Sequence, residues 1–310
     1  DKRREFDHSA PSRPQHTPHP APEARYGRSA QATEPPDTSA SLSAEGKTRV
    51  QKIVGSFLYY GRAVDITILK TLNTLSRQQS KPTDTTAKHT GHLLDYLASH
   101  PDATIRYYAS DMILQIHSDA SYNNEPDARS TAGGHYFLGK PPKDGQPIFL
   151  NGAIYLLCTV LKLVAASAAE AELGALFLNV QEAKIICLIL HEMGHPQPAT
   201  PIHCDNSTAV GISNNTVKRQ RSRAMEMRYF WVMDQATHKH VKVLWYPGIE
   251  NLGDYVTKTM VPSTINTLDR IIPTNQIPLD TYPERYLRVP CEGVLIPPVG
   301  LSGPVCRFHV

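Results

Sequence analysis

Four carboxylates carry the chemical interest of this 310-residue chain: Asp119, Glu172, Asp205 and Asp254. Each taken alone reads as a solvated charge or a helix cap. Gathered at one edge of a sheet, they would repel one another unless cations neutralised them. Hard oxygen donors of this kind select Mg²⁺ or Mn²⁺ rather than zinc. Two such ions about 4 Å apart activate a water and stabilise the leaving oxygen of a phosphodiester. The chemistry on offer is hydrolysis of a nucleic-acid backbone. A basic run, Lys218, Arg219, Arg221 and Arg223, with Arg228 beyond it, supplies a matching phosphate clamp whose affinity would fall with salt. The same run also reads as a solvated loop and helix face. Tyr229, Phe230 and Trp231 are expected in the core rather than as a platform for bases.

A competing motif is His191-Glu-Met-Gly-His195, the HExxH of zinc peptidases, with His203 and Cys204 as further conceivable ligands. That site needs both histidines on one helical face with Glu192 as base. Gly194 and Pro196 end the helix inside or just after the motif, which argues against it. Histidines at a helix C-terminus are in any case favoured by the helix dipole.

The elements that must position the acids follow from periodicity. Met112–Tyr122 alternates as a strand covered on at least one face and carries Asp119. His135–Leu138 and Pro147–Cys158 read as second and third strands, separated by glycine and proline turns, hence an antiparallel meander. A long helix then starts at Ser167, with Glu170 completing a capping box, and stops at Gly194 and the prolines beyond. Glu170 and Glu172 lie about 200° apart around a helix axis, so only one can face the sheet. Glu170 has its capping role. Glu172 continues a face with Ala175, Leu176 and Asn179, and is the one chosen. Ile202–Asp205 is a short strand, 207–214 and 221–235 are helices, Val241–Trp245 is another strand, and 251–260 is a last helix. Asp205 also suits a helix N-cap, and Asp254 a first helical turn. Upstream, two helices are expected, from about Lys47 and over 85–99, separated by Ser80–Thr83. The whole is an α/β domain: a mixed sheet of three meander strands and two further strands, flanked by helices and preceded by a helical segment.

Lys and Arg outnumber Asp and Glu by 32 to 29, which permits a nucleic-acid partner without demanding one. The five cysteines, Cys158, Cys187, Cys204, Cys291 and Cys306, include no CxxC pair. This argues against a disulfide framework or a thiolate zinc site and suits a reducing compartment. The longest apolar run, 152–169, is interrupted by Lys162, so no membrane partner is expected. Residues 1–45 are rich in Pro, Ser, Ala and charge and are expected to be disordered. Residues 263–310 are expected to form a Pro-rich, loosely folded tail. The chain begins at Asp1 and reads as a piece of something longer.

Five blocks carry a family likeness: SDASY at 118–122, AASAAEAELGAL at 165–176, HCDNSTAV at 203–210, RSRAMEMRYFWVMD at 221–234 and NLGDYVTK at 251–258. In this order they resemble the ribonuclease H domain of copia-type retrotransposon Pol polyproteins. QKIVGSFLYYGRAVD and HLLDYLASHPDA resemble the stretch joining reverse transcriptase to that domain. The resemblance covers roughly 48–262, with 46–110 as a helical remnant of the reverse transcriptase connection and 111–262 as the ribonuclease H-like domain. It implies a ribonuclease H-like fold and two-metal hydrolysis of the RNA strand of RNA–DNA hybrids, with other parts of the polyprotein as partners. The implied compartment is a virus-like particle in the cytoplasm, or the nucleus. Asp119 would be the first-strand metal ligand, Glu172 the helix ligand, Asp205 the ligand after the fourth strand and Asp254 the ligand opening the last helix. Two departures matter. The loop before Asp254, Tyr246–Asn251, lacks the histidine many cellular relatives carry, and His238 and His240 lie before the strand instead. A slower enzyme, or another proton carrier, would follow. The polymerase catalytic portion is also absent, so no DNA synthesis is expected. A catalytically inactive or domesticated nucleic-acid-binding relic is the alternative.

Overall fold

The structure is a computed structural model, and its described residues are Phe6, His8, Pro11, 14–20, 37–101, 103, 105, 107–141, 147–216 and 227–259. The tail assigned to 263–310 and the basic residues Lys218, Arg219, Arg221 and Arg223 lie outside them.

Three helices precede the sheet where the sequence predicts two. Helix α1 (Ala44–Ala63) is capped by Ser43, whose Oγ accepts the Gly46 N–H, and buries Val50, Ile53, Val54 and Phe57. A 3-10 turn, Ile66–Ile68, leads into the unforeseen α2 (Leu69–Gln78), and α3 (Asp84–Ser99) opens on a Thr83/Thr86 capping box. Leu72, Leu75, Leu93 and Leu94 close a core among the three helices. Of segment 1–45, Phe6 packs on this core with its ring centroid 6.2 Å from that of Phe57.

The sheet is built from β1 (Ile113–Glu125), β2 (Arg129–Gly139), β3 (Ala153–Val160), β4 (Thr200–Cys204) and β5 (Val241–Trp245). Their order is β3-β2-β1-β4-β5. The first three pair antiparallel, whereas β4 runs parallel to β1, and β5 to β4. This is the mixed five-stranded sheet of a ribonuclease H-like fold. Several strand boundaries differ from expectation. β1 runs on past Tyr122 to Glu125, pairing with a β2 that begins at Arg129, well before His135. β3 starts at Ala153 rather than at residue 147.

Helix α4 (Ala168–Glu192) crosses one face of the sheet, with α5 (Ser207–Ser213) and α6 (Met227–Thr237) beside it. Leu114, Ile116, Tyr136, Ile202 and Val243 meet Leu173, Leu176 and Val180 there. By length and composition α4 could cross a membrane. Its first half is enclosed by this core. Ser167 caps α4 through the Glu170 N–H, but Glu170 reaches past Ser167 to accept the Ala166 N–H at 2.6 Å, so the capping box is not closed. In the aromatic trio, Tyr229 is buried and Trp231 packs on Phe177, but Phe230 is 38% exposed and is not a core residue.

The other face is covered too. Ile66 and Leu69 of the helical segment meet Ala153 and Leu156 of β3 and Leu252, Tyr255 and Val256 near the short helix α7 (Asp254–Thr257). The last helix is thus four residues long within the described range, and Asn251 precedes it rather than opening it. Two covered faces explain why residues 114–120 of β1 are buried without alternation.

Candidate metal centre

Register brings the first two acids together. Ser118 of β1 pairs in parallel with Cys204 of β4, so Asp119 and Asp205, each one residue further on, emerge side by side. Asp205 is not a helix cap: that role falls to Asn206, whose Oδ1 accepts the Ala209 N–H at 3.0 Å. Glu172 comes from the first turns of α4, is buried, and accepts the Ala120 N–H at 3.2 Å. Glu170 turns away to Tyr229, whose hydroxyl lies 3.3 Å from its Oε1. Asp254 is delivered by a tight connection after β5. Asn251, itself buried, donates from Nδ2 to Ser118 O (2.9 Å) and accepts the Gly253 N–H (2.9 Å). The Leu252 N–H donates to His117 Nδ1 at 3.0 Å. A Cβ on Gly253 would sit 2.8 Å from the Asp119 Cβ, and one on Gly248 2.7 Å from Asp205 Oδ2. Close approach to the β1 backbone therefore requires glycine at Gly253, whereas at Gly248 only the Asp205 carboxylate would have to shift.

The four sequence-selected acids converge as two overlapping sets. Ligand atoms of Asp119, Asp205 and Asp254 lie within 4.8 Å of one another, as do those of Glu172, Cys204 and Asp205. Burial, and then the charges of Asp119 and Asp205, hold the Glu172 carboxyl well above the usual range. Burial and Asp119 do the same to Asp254, pushed up to about 7, and raise Asp205. Cys204 is no thiolate ligand: burial and the neighbouring Glu172 keep its thiol protonated, facing Glu172 Oε2 at 3.7 Å. The donor set available to an ion is carboxylate oxygen, which fits Mg²⁺ or Mn²⁺.

Other candidates are not brought in. His191 and Glu192 close α4 and are exposed, and His195 lies beyond its end. Neither metal-capable set among the described residues includes them. His238 and His240 precede β5, whose five residues at about 3.3 Å each separate them from the acid end by on the order of 16 Å. They are too far away to replace the missing loop histidine.

Sequence reasoning missed Lys258 and Thr257. The Lys258 ammonium lies 2.6 Å from Asp254 Oδ1 and 3.3 Å from Asp119 Oδ1, while Thr257 donates its hydroxyl to Asp119 Oδ2. The i,i+4 spacing of Asp254 and Lys258 was a readable signal. Asn179 was placed on the right face of α4 without a role. It is buried, donating to Ser118 Oγ (2.8 Å) and Gly133 O (2.9 Å) and accepting from Tyr136 Oη (2.6 Å), which fixes α4 on β1 and β2.

Over 225 residues, 73% of its length, the chain is 26% identical to the retrovirus-related Pol polyprotein from transposon TNT 1-94 of Nicotiana tabacum, matching 16% of that polyprotein. It is 22% identical over 225 residues to the Ty1-JR2 Gag-Pol polyprotein of Saccharomyces cerevisiae, covering 71% of this chain and 12% of the polyprotein. The chain is similar to retrotransposon Pol polyproteins. This Pol-like chain thus spans well under a fifth of the length of the curated relatives it matches. No family model matches it. Among solved structures, the N-terminal RNase H domain from Mycobacterium tuberculosis overlaps 51% of the Pol-like chain and 99% of its own, with 12% identity and a TM-score of 0.34. The fold rests on this chain's own strand order and registers rather than on that overlap.

Proposed function

We propose that this chain is the ribonuclease H of a copia-type retrotransposon Pol polyprotein, a metal-dependent endonuclease that hydrolyses the RNA strand of RNA–DNA hybrids. The observation that carries the reading is the convergence of Asp119, Glu172, Asp205 and Asp254, from four separate elements, on one sheet end. Carboxylates held that close and that buried strain against their own charge, as the raised Glu172 and Asp254 carboxyls record. A cluster of this kind serves binding rather than stability. Two Mg²⁺ or Mn²⁺ ions, when bound, would polarise the scissile phosphate and lower the pKa of a water.

The remaining roles fall to the chain. Asp205, common to both sets, would serve with Glu172 on one side and with Asp119 and Asp254 on the other. Asn251 and His117 fix the backbone that presents Asp254. Lys218, Arg219, Arg221 and Arg223 would neutralise phosphates along the hybrid. Contacts to 2′-hydroxyls across the wide minor groove would select RNA. The compartment we assign is a virus-like particle in the cytoplasm, with the nucleus as the alternative.

The test is cleavage of a hybrid labelled on either strand, with Mg²⁺ or Mn²⁺, and with zinc and chelator as controls. Cutting of the RNA strand alone, lost with chelator, is expected. A folded protein that binds hybrid without cutting it would instead be a nucleic-acid-binding relic.

A further inference from the structure

The carboxylate cluster already contains a cation. Lys258 follows α7 directly, and its ammonium bridges Asp254 Oδ1 and Asp119 Oδ1 while the side chain stays 42% exposed. Its pairing with two carboxylates places a positive charge between them. Thr257 fills the second oxygen of Asp119. Both oxygens of Asp119 and one oxygen of Asp254 therefore already face a donor on that side. Among the described residues, no cation forms an ion pair with Glu172 or Asp205, and the Glu172 oxygens accept only from the Ala120 N–H and the Cys204 thiol.

We propose that Lys258 is a built-in counter-ion that stands in for one divalent cation in the metal-free protein and makes the two halves of the cluster unequal in affinity. The inference rests on the metal-dependent reading above. Before metal binds, the ammonium keeps Asp119 and Asp254 paired and α7 seated against β1 and β2. Binding at the Asp119–Asp254 side must displace it, and that competition weakens this half. Among the described residues, the Glu172–Asp205 side carries no such competitor. Exposure of the lysine stem gives the displaced ammonium somewhere to go, towards solvent or a phosphate of the bound substrate.

Calorimetric or paramagnetic titration of the full chain with Mn²⁺ tests this, alongside thermal melting in chelator. Wild type should show a tighter and a weaker class of sites. In Lys258→Met the weaker class should tighten by roughly tenfold, since a competing charge is gone. The same variant should melt lower in chelator and gain more from Mn²⁺ than wild type. Lys258→Arg, which keeps the charge, should retain the weaker class, and Lys258→Gln substitutes for the methionine variant should that one not fold. Unchanged Mn²⁺ affinity in the uncharged variants overturns the proposal, whether or not hybrid binding weakens. Absence of Mn²⁺ binding in wild type overturns the metal-dependent reading and this inference with it.

Discussion

Asn251 shows how much of the site depends on residues that never touch a phosphate. Its amide links the β1 carbonyl of Ser118 to the Gly253 N–H, and so sets the distance from Asp254 to Asp119. Asn251→Ala would leave both groups buried without partners, at about 2 kcal/mol in stability. Cleavage should fall by more than the loss of folded protein explains, because Asp254 would no longer be held in place. Chemical denaturation and cleavage on the same preparation separate the two effects. Equal losses would make Asn251 a purely structural residue.

At the scale of elements, the helical segment is clamped onto the sheet rather than merely tethered to it. Lys70 of α2 is buried against Glu125 at the end of β1, 2.5 Å away, and also donates to Thr131 Oγ1 at 3.0 Å. Arg77 pairs with the same Glu125, and Asn73 donates to Cys158 O at 2.7 Å. Burial lowers the Lys70 pKa to about 8, with Cys158 opposing it, so the pair pays heavily for its position. Lys70→Met strands a buried carboxylate with one remaining cation and should cost about 3 kcal/mol, read as a lower urea midpoint. Since α2 backs α7, cleavage should weaken too. An unchanged midpoint would mean the clamp contributes nothing. These features also mark the limit of what the sequence discloses. β5 was legible to the residue from its alternation, and the start of α4 from Ser167. Helix α2 was not, because Leu69, Leu72 and Leu75 follow a β-branched run, Ile66-Thr-Ile, that gives no helix start. Lys70 reads as a surface charge until β1 is folded over it. Of the acids, Glu172 could be chosen over Glu170 by helical geometry alone. The pairing of Lys258 with Asp119 joins distant parts of the chain, and no local pattern announces it.

For the whole molecule, buried histidines link stability to pH. His135 and His203 lie on the same face of the sheet as Leu156, and burial pulls both down from about 6.5 to about 4. A histidine with a depressed folded pKa stabilises fully above its unfolded value, and that stability drains as pH falls towards the folded one. The window is therefore roughly pH 6.5 to 4. At pH 5, His135 alone should account for about 2 kcal/mol of the loss. His135→Leu should flatten the fall in melting temperature between pH 7 and 5, and an unaltered slope would exclude His135 as its source. Under the proposed function, binding of hybrid depends on a different charge distribution. Neutralising Lys218, Arg219, Arg221 and Arg223 should weaken binding across sequences. For each phosphate left without its basic partner, the slope of log affinity against log salt should become shallower by about 0.9. A slope equal to wild type would remove the run from the interface.

The central claim is that four carboxylates, organised by Asp119, hold the ions that cut RNA in a hybrid. Asp119→Asn changes one ligand charge with almost no change in shape, so it isolates that claim. The measurement is the rate of RNA-strand cleavage by wild type and Asp119→Asn in saturating Mg²⁺, on protein shown by melting to be folded. The account predicts a loss of about a hundredfold or more, the scale of several kcal/mol of charge stabilisation. Cleavage by the folded variant at the wild-type rate would contradict it.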